Sequence, residues 1–396
     1  MGANDVRSVE SENIVALCDV DETRAADTFK RLSRVQKFKD YRRMLDAMDK
    51  QIDAVTVSTP DHTHFPAAMK AIGMGKHAFV QKPLAHTIAE ARQLTLAARQ
   101  AKVATQMGIQ GNSFEGLRLL REWLADGVIG PVREVHAWTN KPVWPQGIGR
   151  PADKPPVPKT LDWNLWLGTA PLRPYHPAYL PFVWRGWWDF GSCSLGDMGC
   201  HVLNHPFAAL QLGYPTSVEA YPTRLTEETG PLASIIYYDF PARGDLPPVK
   251  LTWYDGGIMP PRPRELEHWR RMGDNEGCIF VGDKGTIICG CYCRSPRLIP
   301  EARMKAYKRP PKTLPRSIGH YKEWLAACKG GPAAGANFDH AGPLAEIVQL
   351  GNVALRTSAL QKQNGRTVRL LWDGPNMKCT NIPEANRFVQ SEVRKF

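Results

Sequence analysis

The sequence predicts an α/β protein: a doubly wound parallel sheet followed by an α+β domain with a large mixed or antiparallel sheet. Three observations carry this. Up to about Gln110, short apolar runs alternate with stretches of helical spacing, as in parallel strands buried on both faces. Beyond it, strand-like runs follow one another directly. At 396 residues the chain also exceeds one ordinary domain, so the expected division is 1–110 and 111–396.

The elements follow in order. NIVALCDV (Asn13–Val20) is a short apolar run ended by acid, and Arg24–Leu32 has helical spacing. IDAVTVST (Ile52–Thr59) reads as a buried strand broken by Pro60, with a helix through Ala67–Gly73. His77–Val80 is a third strand, Thr87–Gln100 an Ala-rich helix and Val103–Met107 a fourth strand. Glu115–Asp126 is an amphipathic helix closed by Gly127, and Val132–Thr139 a strand. Pro142–Pro158 reads as a surface excursion. A helix is expected over Leu195–Leu212, then strands near Ser217–Tyr221, Ala233–Phe240 and Val249–Tyr254. Arg262–Glu276 reads as a loop, and Cys278–Val281 with Thr286–Cys289 as a hairpin. Helices over Ile318–Cys328 and Leu344–Thr357 flank a Gly/Ala/Pro loop, and Thr367–Trp372 is a last strand.

Composition bounds the function. The net charge of +12 comes from Lys and Arg that are mostly dispersed, without a helix-turn-helix, zinc-finger or RNA-binding signature. A basic surface that attracts anionic cofactor or substrate is the expectation, with no nucleic acid and no membrane. Met1–Glu12 is polar, and no apolar core of a secretory signal is read there. The nine cysteines lack C-x-x-C spacing, which points to reduced thiols in the cytoplasm. A twin-arginine signal upstream would move the protein to the periplasm. Cys289, Cys291 and Cys293 alternate, so on a strand they would share a face as small buried hydrophobes; no metal site is expected.

Two stretches carry chemistry. In doubly wound sheets ligands lie outside the carboxyl ends of the strands, here Cys18-Asp19, Thr59-Pro60 and Gln81-Lys82-Pro83. Asp19 stands where an acid bonds an adenosine ribose, or else it simply opens the next helix. The G-x-G-x-x-G fingerprint that should join a first strand to a first helix is not in the chain. Gly2 stands about where its last glycine would, so a truncated phosphate cradle is expected.

The second stretch is GSCSLGDMGCHVLNHP (Gly191–Pro206). On a regular helix His201 lies one turn above Asp197, so the carboxylate would favour an imidazolium and orient the ring. Alternatively, Asp197 is a helix cap and His201 packs. Trp144, Trp163, Trp166, Trp184, Trp187 and Trp188 crowd near Arg185 and Asp189, either to stack on a sugar-like ligand or as an aromatic core.

These pieces together resemble the Gfo/Idh/MocA (glucose-fructose oxidoreductase / inositol dehydrogenase) family. The matching segments are NIVALCDVD, STPDHTHFPAA, QKPLAHT, WRGWWDFG, GDMGCH and NFDHAGPLAEIVQLGNVAL. The resemblance implies a Rossmann-type domain and an NAD(P)-dependent oxidoreductase acting on a sugar, sugar derivative or cyclitol hydroxyl. The E-K-P motif falls on Gln81-Lys82-Pro83, with Gln in place of Glu. Lys82, Asp197 and His201 are the implied catalytic residues. Gly2, Asp19, Ser58, Thr59, Pro60, His62, His64, Gln81 and Lys82 are the implied cofactor contacts. Gln110, Arg185, Trp188 and His201 would face the substrate. Asp19 without a following Arg cluster favours NAD over NADP, which Arg24 would blunt. An NAD-dependent glycosidase working by oxidation, elimination, hydration and re-reduction would use the same residues. A relative with an impaired cofactor site is the third expectation, motivated by the missing strand. An open sheet face in the second domain implies a homo-oligomer, a dimer or tetramer.

Overall fold

Five short parallel strands form the N-terminal part in two blocks. In the computed structural model, which describes all residues except 274 and 363–368, β1 (Ala16–Cys18) pairs with β2 (Gln36–Phe38). β3 (Ala54–Val57), β4 (His77–Val80) and β5 (Thr105–Met107) form the second block in that order. Helices α1 (Gly2–Ser8), α2 (Glu22–Arg31), α3 (Tyr41–Ala47), α4 (His64–Gly73) and α5 (Ile88–Ala101) alternate with them. Local chemistry fixes the helix starts. The Asp21 carboxylate accepts from the Thr23 and Arg24 amides at the head of α2, and Thr87 with Glu90 forms a capping box on α5.

β4 is the buried centre: Ala78, Phe79 and Val80 are fully enclosed. In a doubly wound sheet of order 3-2-1-4-5-6, β1 and β3 would flank the first strand. Among the described residues no strand joins the two blocks. α1 packs against β3, whose Ala54, Val55 and Thr56 are half-buried. The parallel strands are thus split into two blocks.

The second part is built on nine strands. β6 (Val132–Thr139), β7 (Ser217–Pro222), β8 (Ser234–Phe240), β9 (Val249–Tyr254), β10 (Glu276–Gly282), β11 (Gly285–Gly290), β12 (Arg297–Ile299), β13 (Leu370–Asp373) and β14 (Lys378–Cys379) order as β12-β11-β10-β6-β9-β8-β7-β13-β14. Only β6 and β9 pair in parallel, so the sheet is mixed. β8 alternates buried and half-buried residues, the mark of one packed and one open face. The helix Phe338–Lys362 lies against both β7 and α5. At its crossing with α5, a Cβ on Gly342 would sit 2.0 Å from Thr95 Oγ1, so only glycine permits that approach.

Three expectations change. The helix over Leu195–Leu212 is broken into a π turn (Leu195–Gly199) and short α segments Cys200–Val202 and Asn204–Ala209. The helix expected from Leu344 starts at Phe338, where the Asn337 side chain accepts from the Asp339 amide. Cys291–Cys293 is not strand but a turn in which Tyr292 has φ +58°, so the three thiols do not line one face. All nine cysteines are free. Of the last expected strand, Thr367 and Val368 lie outside the described residues, and β13 begins at Leu370.

Candidate active site

Lys82 leaves the carboxyl end of β4 and reaches the π turn 115 residues away. Its Nζ donates to Asp197 Oδ1 at 2.7 Å and to the Asp197 carbonyl at 2.8 Å. Arg185 Nε donates to the same Oδ1 at 2.8 Å. Burial alone would raise the Asp197 carboxyl, but the two cations outweigh it and hold the group well below the usual carboxylate range. An ammonium has three donors, and Asp197 takes two, leaving one for a ligand. Arg185 lies over the rings of Trp184 at 4.3 Å, Phe182 at 4.6 Å and Trp144 at 5.9 Å, a cation set in aromatic walls.

His201 lies in the same neighbourhood but not in the expected pairing. Asp197 makes no hydrogen bond to it; its carboxylate is taken by the stronger cationic donors. The π turn supplies the geometric reason, since i→i+5 winding carries residue i+4 off the face of residue i. Burial first and the Lys82 charge second push the imidazole well below its ordinary value, so it is neutral rather than an imidazolium. Its Nδ1 is buried without a partner. Its ring meets the Tyr292 ring edge-on at 4.9 Å.

Two neighbours carry no signal strong enough to single them out in the sequence. Tyr292 is set in place by its turn: the Cys293 amide donates to His205 Nε2 at 2.7 Å, and Gly111 lets the Tyr292 backbone come close. Asp61 sits inside the STPDHTHF segment, where nothing in the sequence sets it apart from the residues around it. It is 3% exposed and accepts from the Ser192 amide at 2.9 Å. Burial pushes its carboxyl up to about 7 against the opposing pull of Arg185 and Lys82.

The residues expected to meet a dinucleotide lie at strand ends. Asp19 follows β1, is half-buried, and accepts from the Asp21 amide at 2.9 Å; burial raises its carboxyl. Ser58, Thr59 and Pro60 follow β3, and Gln81 and Lys82 follow β4. Gly2 opens α1 beside Ser58, where an added Cβ would lie 3.6 Å from the Ser58 Cβ. These carboxyl ends, with a half-buried acid at one and a lysine at the other, fit a dinucleotide laid across them.

Other expected contacts are placed elsewhere. His62 faces the carbonyls of Phe190 at 3.2 Å and Trp166 at 3.0 Å, and His64 those of Pro83 at 2.7 Å and Thr59 at 2.9 Å. Burial pushes each imidazole down to about 4, so each neutral ring donates to one of its two carbonyls while the other closes off its second nitrogen, and the rings brace loops rather than face a cofactor. Trp188 does not face the Lys82 cluster. It is buried, donates to the Thr226 carbonyl at 3.2 Å and lies under Arg356 at 5.5 Å. Trp166 and Trp187 belong to an aromatic core with Tyr179 and Phe190, Trp163 and Trp184 pack against it, and Trp184 with Trp144 also meets Arg185. Gln110 opens a turn just after β5, beside Tyr321. Among the described residues no group of side chains could hold a metal ion.

Comparison with known proteins bears on the family and the fold. The profile of the oxidoreductase family's NAD-binding Rossmann fold matches residues 3–109, and that of the family's C-terminal alpha/beta domain matches residues 129–218. The 2,7-anhydro-N-acetylneuraminate hydratase of Escherichia coli K12 is 33% identical over 103 residues, 24% of this chain and 28% of that protein. The inositol 2-dehydrogenase of Salmonella paratyphi B is 28% identical over 136 residues, 34% of this chain and 39% of that protein. The matched region therefore spans well under half the length of these curated relatives. The WlbA dehydrogenase from Bordetella pertussis, solved with NADH and UDP-GlcNAcA, shares the fold with a TM-score of 0.60 over 93% of this chain and 94% of that one, at 16% identity. With both domain profiles in order along the chain, the protein belongs to the Gfo/Idh/MocA family of oxidoreductases.

Proposed function

We propose that this protein is an NAD-dependent dehydrogenase that oxidises a hydroxyl of a sugar, sugar derivative or cyclitol. The observation that carries the reading is the pairing of Lys82 with Asp197 beside a neutral, buried His201 whose Nδ1 has no partner. When bound, NAD supplies the hydride acceptor. Gly2, Asp19, Ser58, Thr59, Pro60 and Gln81 would hold it, and Asp19 favours NAD over NADP.

The chain's own groups handle the proton. A sugar hydroxyl is a poor acid, and it gives up its proton only when a base and a cation meet it together. His201 is neutral and accepts the proton. The third donor of Lys82 bonds the same oxygen and stabilises its developing negative charge. Asp197 is a positioning residue: it fixes the Lys82 ammonium and the Arg185 guanidinium on one oxygen. Arg185 and its aromatic walls bind the neighbouring ring, whose C–H faces pack on Trp184 while its hydroxyls take hydrogen bonds.

A homo-oligomer that covers the open face of the nine-stranded sheet, where Tyr221 and Leu371 are each 46% exposed, belongs to this reading. The free thiols favour a cytoplasmic location, and no helix is long and apolar enough to cross a membrane. The test is a panel of sugars and cyclitols with NAD, followed by NADH absorbance. NADH formation with one of them supports the reading; none, with NAD bound, counts against it. The relative named as a hydratase motivates a second reading, a glycosidase that uses bound NAD transiently. Phenol release from an aryl glycoside without added NAD, and no net NADH, would favour it.

A further inference from the structure

The residue before Lys82 is held by a carboxylate from the opposite end of the domain. Gln81 Nε2 lies 2.9 Å from both Oδ1 and Oδ2 of Asp5, on α1. Ser58 Oγ donates to Oδ2 at 2.5 Å, and Tyr321 Oη donates to Oδ1 at 2.7 Å. Asp5 is 1% exposed, and among the described residues no cation forms an ion pair with it. One carboxylate thus gathers four parts of the chain: α1, the end of β3, the end of β4 and the helix His320–Cys328 of the second part. The Tyr321 ring is itself stacked on Phe79 of β4 at 4.9 Å.

We propose that Asp5 and Gln81 form a matched carboxylate–amide pair that positions Lys82, and that the identity of residue 81 is dictated by Asp5. The donor count supports this. Asp5 accepts from each of its three partners, and the amide nitrogen of Gln81 meets that demand where an ionised glutamate would not. A glutamate there would set two buried carboxylates within 3 Å or so, a contact that survives only by sharing a proton. Because Lys82 is the next residue, the pair anchors the backbone from which the ammonium reaches Asp197. The pair also answers the Gln found where the E-K-P pattern has Glu: with an amide at 81, the carboxylate of the pair stands on α1.

This inference rests on the reading of Lys82 as catalytic, so its test uses readouts beyond turnover. The variants are D5N, Q81E, the double variant D5N/Q81E, and Y321F as a milder single change, all in the full chain. Thermal stability, NADH binding by fluorescence, and the labelling rate of Lys82 by an amine-reactive reagent, read by peptide mass spectrometry, are compared. Q81E should lose stability at about pH 8 and recover part of it at about pH 5, where a proton bridges the two carboxyls. D5N and Q81E should each change Lys82 labelling by about fivefold or more, and Y321F in the same direction by less. The double variant, with amide and carboxylate exchanged, should recover part of the stability, NADH affinity and Lys82 labelling lost in Q81E, and not all of it, because the asparagine of D5N keeps one acceptor oxygen for the hydroxyls of both Ser58 and Tyr321. Where a substrate turns over, D5N should lower kcat with little change in KM, and the exchange should recover part of the loss. Additive losses in the double variant, or a Q81E protein with parental stability and labelling, would overturn the pair. Restored stability with Lys82 labelling left at the single-variant level would overturn its link to Lys82.

Discussion

Arg185 and Lys82 share one oxygen of Asp197, at 2.8 Å and 2.7 Å, from two parts of the chain that the sequence separates by about a hundred residues. Two cations on one buried carboxylate leave a net positive charge at the floor of the site. That surplus suits a step in which an alcohol oxygen becomes negative. It also makes the roles of the two cations separable.

Arg185 touches Asp197 with one nitrogen and three aromatic rings with its face, so its loss should be felt in substrate binding. R185M is expected to raise the KM for the sugar about tenfold while kcat falls less than that, because Lys82 keeps its own bonds to Asp197. Steady-state kinetics at several sugar concentrations check the split.

His201 should behave as a base that stays neutral in mild acid. H201N is expected to lower kcat by a factor of about 10² to 10⁴. In the parent, kcat/KM should not fall off as pH drops through 6.5, the ordinary imidazole value, because burial and Lys82 hold the group lower. A pH–rate profile of parent and variant checks both.

The same burial makes stability depend on pH. His62, His64, His320 and His340 are pushed down to about 4, and His86 and His205 to about 3, by burial. Each is depressed below its unfolded value, so its contribution is complete above about 6.5 and is lost as pH falls toward the folded value. Asp61, Glu90 and Asp255 are raised to about 7, and they act in the opposite sense, losing stabilisation as pH rises through 7. The imidazoles outnumber the carboxyls, so the net effect between about pH 6 and pH 4 is loss of stability on acidification, roughly 1.4 kcal/mol per unpaired group per pH unit. Denaturant unfolding across that range should show a steep acid-side decline.

Asp19 should set the choice of dinucleotide. D19S removes the half-buried carboxylate after β1 and is expected to weaken NAD binding about tenfold while NADP binding holds or improves. Calorimetry with each dinucleotide reads the change directly.

Much of this was legible in the sequence, and the gaps have physical causes. His77–Val80, Val132–Thr139 and Val249–Tyr254 are strands with the observed bounds because their apolar residues are buried on the sheet. β2, with the sequence QKF, and α1, seven residues of mixed polarity, carry no periodic apolar signal and escape that reading. The segment holding Asp197 and His201 was visible, but their spacing misdirects, since a π turn changes which residues share a face. His62 and His64 sit in a motif beside the cofactor ends, yet sequence cannot show that backbone carbonyls enclose both rings. Tyr292 depends on a positive-φ turn and on His205, contacts made only in three dimensions.

The most direct measurement is NADH formation by K82M beside its NAD affinity. With the ammonium gone, the alkoxide loses its cation while Asp197 keeps Arg185. The rate should fall by about 10³ with NAD affinity within about threefold of the parent. A K82M protein that binds NAD normally and oxidises the sugar within about tenfold of the parental rate would contradict the account.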